Sequence, residues 1–243
     1  MSTKLNKATK KEIANGIQEL YINTFEFNSI ANNPLHTDSL PRQLNVTTEE
    51  AGELVTALAK QDLKEVGDAI VDCLVTGCFL VGIQDGNDDI TKNPPLYLNE
   101  SDSTLEVLVP EAIHHLEEVY RTNTLGILSL VKHKDYIEFL STVEDMCAVV
   151  NLNIVDTMKS VGESNLSKFP LVTAVSDPES VCEAIEDQGR YDNVSYEESV
   201  KFGEPCYVFK ATYDKENDKR YTKGKIVKPP AEFGYTEPTI YLN

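Results

Sequence analysis

Thr48-Glu49-Glu50-Ala51-Gly52-Glu53-Leu54, followed by Glu65-Val66-Gly67-Asp68, is the stretch that decides how this chain is read. Glu50 and Glu53 are three residues apart, as are Glu65 and Asp68, so each pair lies on one face of a helix. Their neighbours on that face are apolar: Leu54, Ala57, Leu58, Ala69 and Val71. By spacing alone, acids of this kind most often form a solvated helix face. Beside an apolar seam, four unpaired carboxylates would repel one another. A hard divalent cation removes that cost. Ligands that are all oxygen favour magnesium or manganese over zinc.

Outward from this stretch the chain reads as helical. Thr9 to Ala31 carries Ile13, Ile17, Leu20, Tyr21, Phe25 and Ile30 at helical spacing, and Asn32-Asn33-Pro34 stops it. A loop with Pro34 and Pro41 is expected up to Val46. Thr47 or Thr48 is then the predicted cap of a second helix that runs to Lys60. Gln61-Asp62 breaks into a third helix ending near Gly86, and residues 86–103 are polar enough for a loop. Two further helices are predicted, Leu105 to Arg121 and Leu125 to Val161, the second interrupted near Lys132-His133-Lys134. After Gly162, prolines and glycines break the helical pattern. Cys206 to Tyr213 and Arg220 to Val227 then read as two strands around a polar turn, Lys215-Glu216-Asn217-Asp218. The fold class is therefore mainly α: a helical bundle with a small C-terminal appendage that contains a β-hairpin.

The bundle carries a weak internal echo. Ala57-Leu58-Ala59-Lys60 matches Ser129-Leu130-Val131-Lys132, and Glu65 to Cys73 matches Glu138 to Met146. This pattern fits either a degenerate repeat of one helical hairpin or two unrelated amphipathic helices. In the second copy Ser141 replaces Asp68, while Thr122 and Leu125 replace Glu50 and Glu53. That copy cannot hold a metal in the same way and is expected to complete the bundle.

Composition narrows the function classes. A formal net charge of -18 argues against a general nucleic-acid binder, which needs a basic face. The five cysteines form no CxxC pair and no zinc spacing, so they are expected to be reduced core residues of a cytoplasmic protein. The opening MSTKLNKATKKE is polar, and the most apolar run, Ala69 to Ile83, carries Asp72 and is shorter than a bilayer span. No membrane association is expected. Lys215, Lys219, Arg220, Lys223, Lys225 and Lys228 cluster in this otherwise acidic chain, where an anionic ligand would be met.

Glu49-Glu50-x-x-Glu53 followed by Glu65-x-x-Asp68 resembles the signature of the all-α nucleoside triphosphate pyrophosphohydrolases. That superfamily includes MazG-type enzymes, dimeric dUTPases and phosphoribosyl-ATP pyrophosphohydrolases. Gly67 to Gly77 looks like the continuation of the third helix in MazG-like proteins. Ser164-Asn165-Leu166-Ser167-Lys168 is similar to the Ser-Asn-Met-Ser-Lys element of phage-type members, and Gly224 to Pro230 resembles their Gly-Lys-Val-x-Lys-Gly-Pro tail. The resemblance spans residues 9–86, 150–170 and 220–235. It implies a pyrophosphohydrolase domain over 1–170, with an insert at 86–150, and an appendage over 171–243 whose first part, 171–205, is lengthened. It also implies a phage or housekeeping role in nucleotide pools, in the host cytoplasm if phage-encoded, and a homodimer unless the repeat lets one chain build the bundle alone.

The reaction so implied splits a (deoxy)nucleoside triphosphate between its α- and β-phosphates. Glu50, Glu53, Glu65 and Asp68 would hold magnesium or manganese. Glu49 would accept or orient the proton of the attacking water. Asn165 and Lys168 would contact phosphates or sugar, and Lys225 and Lys228 would close over the phosphate tail. Asn28 and Phe25 are candidates for holding the base from their position alone. Asp72 reads equally as a further ligand or as a partner of the ligands. Two other readings stand beside this one. The first is a non-catalytic protein that binds a nucleotide or a host partner on the same fold. The second is a di-iron bundle, from the lone Glu111-x-x-His114.

Overall fold

A computed structural model describes residues 10–33, 35–85, 104–124, 133–150 and 152–242. Its order is α1 (Lys10–Ile30), α2 (Leu40–Lys60), α3 (Leu63–Asp85), α4 (Leu105–Thr124), α5 (His133–Val149), α6 (Ile154–Ser167) and α7 (Pro178–Asp187), then β1 (Tyr191–Lys201), β2 (Glu204–Asp214) and β3 (Lys219–Ile226). The chain is mainly α with a small antiparallel sheet near its C-terminus, as the hydrophobic patterning predicts. It divides into a helical unit, Met1–Phe25, Pro34–Gly162 and Thr239–Asn243, and a sheet unit, Glu26–Asn33 and Glu163–Pro238. The division falls at Gly162/Glu163, and the last residues return to the helical unit.

Helix α3 is the centre of the helical unit. Val66, Ile70, Val71, Cys73, Leu74, Cys78, Phe79, Leu80 and Ile83 are all buried, so the helix is apolar around most of its circumference. Its apolar stretch extends over Leu63–Ile83, 21 residues, which is longer than the sequence reading allowed and long enough to cross a bilayer. Most of its apolar window, 78 %, is buried within the protein, as befits a core helix. Helix α2 pairs with α3 and α4 with α5, and the two hairpins meet through α3 with α5 and α2 with α4. The part of the second copy that is described, Glu138 to Met146 in α5, packs on α3. Leu125 to Lys132, which carry the first part of the internal echo, lie outside the described residues, as does the expected loop at 86–103. Close approach fixes the α3–α5 contact: a Cβ on Gly77 would stand 2.7 Å from Phe139 Cε1.

Three boundaries differ from expectation. Helix α2 begins at Leu40, not at Thr47 or Thr48. Pro41 is tolerated because it sits in the first turn, where its missing N–H would have had no intrahelical partner. Leu40, Gln43, Leu44, Thr47, Ala51, Leu54 and Ala57 form the continuous buried stripe that draws those two early turns onto the core. Thr47 and Thr48 are interior residues whose hydroxyls donate to the carbonyls of Gln43 and Leu44 at 3.0 and 2.8 Å. The predicted helix to Val161 breaks again between Val149 and Ile154, where Leu152 bridges Leu242, and α6 continues past Gly162 to Ser167. The break at Gln61-Asp62 is as expected. Gln61 adopts the left-handed conformation (φ 58°), and Asp62 Oδ1 accepts the N–H groups of Lys64 and Glu65 to start α3.

In the sheet unit the strands run in the order β1-β2-β3, all antiparallel. The hairpin β2–β3 is the predicted one. Helix α7 and strand β1 are additional, and occupy the segment that looked merely lengthened. Asp177 caps α7 by accepting the Glu179 N–H at 3.2 Å, and Pro178 follows in the first turn. The β1–β2 turn is made by Phe202 (φ 49°) and Gly203 (φ 85°), both left-handed as a tight hairpin requires. Strand β2 is covered on both faces. Tyr207, Phe209 and Ala211 pack on Val181, Cys182 and Ile185 of α7, while Cys206 and Val208 pack on Ile30 and Phe169. This is why Cys206 to Phe209 reads as an unbroken apolar run. All five cysteines are free and buried: Cys73, Cys78 and Cys147 in the helical unit, Cys182 and Cys206 in the sheet unit.

Candidate functional site

The carboxylates predicted to hold a metal all belong to the α2–α3 hairpin. Glu50 and Asp68 are half-buried, and Glu49, Glu53 and Glu65 are exposed. Three acids act on a single point in this hairpin, the buried thiol of Cys73. Burial pushes that thiol up, and the charges of Glu50, Asp72 and Glu53, in that order, push it further. Asp72 thus bears on the same thiol as Glu50 and Glu53, although the paired spacings give it no place. Its signal is its position one turn beyond Asp68, on the same face of α3. Glu65 is turned elsewhere: its Oε2 accepts from Lys60 Nζ at 3.1 Å, and both side chains are more than half exposed. Among the described residues, no three His, Cys, Asp or Glu side chains stand close enough to hold an ion together. The donor chemistry of the hairpin suits a hard cation, and its exposed glutamates are on rotatable side chains, but as placed they do not form a closed cage. Glu111 and His114 of α4 are both exposed, so the lone Glu-x-x-His does not face the bundle interior.

The other predicted site residues belong to the sheet unit, with the exception of Phe25. Phe25 is a packing residue of the helical unit, with its ring edge-on to Phe79 at 5.4 Å and pressed against Gly82. Asn28 closes the end of α1: its Oδ1 accepts from Asn33 Nδ2 at 2.7 Å and its carbonyl accepts the Asn33 N–H at 2.9 Å. Asn165 and Lys168 are brought together at the end of α6, where Lys168 Nζ donates to Asn165 Oδ1 at 2.8 Å and stands 5.6 Å from the centre of the Phe27 ring.

Lys228 and Lys225 go to different places. Lys228 Nζ donates to Glu237 Oε1 at 2.6 Å, the Tyr235 hydroxyl donates to Glu237 Oε2 at 2.9 Å, and Lys168 adds its charge to the same carboxylate. Lys225 instead stands 4.0 Å from Asp214, among Tyr191, Tyr221 and Arg190. Tyr235 and Glu237 were not legible as partners of Lys228, because nothing in the sequence spacing of this segment marks that approach. A separate cavity of about 430 Å³ is lined mainly by Leu166, Pro170, Leu171, Phe202 and Phe233. The ammonium of Lys201 at its wall is already engaged by the carbonyls of Leu166 and Phe169.

Asp214 explains why the basic hairpin is less open to anions than its composition suggests. Its side chain is fully buried and accepts from Arg190 at 3.2 Å, from Asn217 Nδ2 at 3.1 Å and from the N–H groups of Glu216 and Asn217. Burial works against its ionisation, but the hydrogen bonds from Asn217 and Arg190 outweigh it and hold the pKa at about 2. A carboxylate whose folded pKa lies below its unfolded value stabilises the fold above the unfolded value, near about 4, and loses that contribution as pH falls toward the folded one. The sheet unit should therefore lose melting temperature between about pH 4 and pH 2. Asp214→Asn should lower the melting temperature at pH 6 and flatten that acid limb. A variant with an unaltered limb would remove Asp214 from the acid response.

No protein-family model, no curated protein and no solved structure matches this chain.

Proposed function

We propose that this chain is a magnesium-dependent pyrophosphohydrolase that converts a (deoxy)nucleoside triphosphate to its monophosphate and pyrophosphate. The observation that supports the reading is that Glu50, Glu53, Glu65 and Asp68 all belong to the α2–α3 hairpin, with Glu50 and Asp68 half-buried. Glu50, Glu53, Glu65 and Asp68 would hold the ion, with Asp72 beside them. When bound, magnesium or manganese screens the polyphosphate charge and acidifies a coordinated water. Glu49, one position from Glu50 and exposed, would take the proton from that water or orient it. Recruiting Glu65 requires it to leave Lys60, an exposed pairing of the kind that holds weakly. In the sheet unit, Asn165, Lys168 and Lys228 are assigned to phosphate oxygens, which ammonium and amide groups recognise by charge-assisted hydrogen bonds.

The engagement of Glu65 by Lys60 favours a second reading: a chain that binds nucleotide without hydrolysing it. One experiment separates the two. Incubation with each common and modified triphosphate and magnesium should release pyrophosphate and the matching monophosphate from at least one of them. Nucleotide binding with no pyrophosphate from any would leave the second reading standing and overturn the first.

A further inference from the structure

We infer that the cavity beside the β1–β2 turn of the sheet unit binds a small amphipathic carboxylate, with its acid group on Lys201 and its apolar body against Phe202 and Phe233. The inference goes beyond the proposed function. It uses none of the residues assigned there to ion or nucleotide, and it stands whether or not the chain hydrolyses a triphosphate.

The cavity, about 430 Å³, falls in the size range of small-molecule sites. Its walls are mostly apolar: Leu166 at the end of α6, Pro170 and Leu171 beyond it, and Phe233. Sites of this kind combine an apolar lining with a few polar groups that fix orientation. Three polar side chains reach this one, those of Glu163, Ser167 and Lys201. Ser167 is occupied: its hydroxyl donates to the Ser164 carbonyl at 2.7 Å and accepts the Thr236 N–H at 3.0 Å. Glu163 is exposed, so solvent and salt screen its charge. Lys201 is half-buried and brings a positive charge to the wall.

Lys201 is held but not neutralised. Its Nζ donates to the carbonyls of Phe169 and Leu166 at 2.6 and 3.3 Å, which closes the C-terminal end of α6. An ammonium has three N–H donors, so one is left over. Glu204 and Glu26 act on it through charge, and among the described residues neither forms an ion pair or a hydrogen bond with it. Burial lowers its pKa against the pull of Cys206, Glu204 and Glu26. A half-buried cation in this state gains from an anion that supplies the missing acceptor.

Phe202 leads to the same cavity by a separate route. Its φ of 49° is a conformation that a tight hairpin turn gives to Asn, Asp or Gly and that a bulky side chain rarely adopts. Burial does not compensate, since Phe202 is 58 % exposed. Turn geometry and core packing therefore both disfavour a phenylalanine here. The conformation is fixed by the Glu26 carboxylate, which accepts the Phe202 N–H, and the ring lines the cavity. Residues held in sparsely populated backbone conformations cluster where ligands are clamped. An exposed ring and a cation with a donor to spare, next to each other in sequence, suit an apolar body that ends in a carboxylate.

The test is calorimetric titration of the full chain with octanoate, with phenylpropionate, and with octanol as the uncharged counterpart, each below its aggregation limit. Octanoate should bind saturably and about tenfold tighter than octanol. Tighter binding of octanoate than of phenylpropionate assigns an acyl ligand and the reverse an aromatic one; either result supports a carboxylate site. Lys201→Met should bring octanoate down to the level of octanol. Phe202→Asn, which suits the turn, should weaken octanoate binding at least about fivefold without lowering the melting temperature. The proposal is overturned if neither carboxylate binds saturably, or if octanol matches octanoate, which would make the occupant purely apolar. Undiminished octanoate binding by a folded Lys201→Met or by Phe202→Asn would also overturn it, as would a fall in the melting temperature of Phe202→Asn. If Lys201→Met does not fold, the octanol comparison and Phe202→Asn decide. The triphosphate screen depends on other residues, so the two proposals fail separately.

Discussion

Glu53→Gln and Asp68→Asn are each expected to lower magnesium-dependent pyrophosphate release by at least about 100-fold while leaving the helical circular-dichroism signal intact. Both substitutions keep side-chain shape and remove a charge. Glu53 is exposed and Asp68 half-buried, so neither change opens a cavity in the core. The loss should fall on turnover because a carboxylate that holds the ion also sets the charge that the polyphosphate meets. Excess magnesium should restore part of the Glu53→Gln activity if the defect is one of ion affinity. Undiminished turnover in either variant would remove that residue from the mechanism. Asp72→Asn belongs in the same series, because Asp72 is half-buried on α3 one turn beyond Asp68.

Phe209→Ala should produce the largest stability effect in the sheet unit. The ring is fully buried at the centre of β2, against Val181, Cys182 and Ile185 of α7. Deleting a ring of this kind costs about 3–5 kcal/mol, through lost transfer energy and the cavity left behind. In a unit of this size the expected drop in melting temperature is at least about 12 °C. Near-ultraviolet circular dichroism, which follows the tyrosine cluster of the sheet, is the measurement. Far-ultraviolet signal from the helical bundle should fall later in the melt. A single unshifted transition would mean that β2 is not the keystone of its unit.

The features legible in the sequence were those with strong local signals. The α2–α3 hairpin announced itself through Leu54, Ala57 and Leu58 on one side, Ala69 and Val71 on the other, and a polar break between them. The β2–β3 hairpin did so through an unbroken apolar run and a polar turn. What escaped had a misleading local signal. Pro41 looked like a terminator but stands where a helix tolerates it. Strand β1 is largely exposed, and its Glu197, Glu198 and Ser199 mask its alternation. Helix α7 buries only Val181, Cys182 and Ile185 over ten residues, although Asp177-Pro178 marks its start. Glu50 and Glu53 lie on α2 and Glu65 and Asp68 on α3. Which of them approach one another depends on side-chain rotation and ion pairing, as Lys60 shows with Glu65, and spacing does not encode that. The Lys228–Glu237 pairing depends on the path of the C-terminal segment, for which the local pattern carries no information.

Burial raises the pKa of every thiol in the molecule, so each is both shielded and withheld from its reactive thiolate form. An alkylating reagent therefore meets nothing to modify until a unit opens. Cys73, Cys78 and Cys147 time the opening of the helices, and Cys182 and Cys206 that of the sheet, which gives the native chain two built-in chemical clocks readable by mass spectrometry without any added label site.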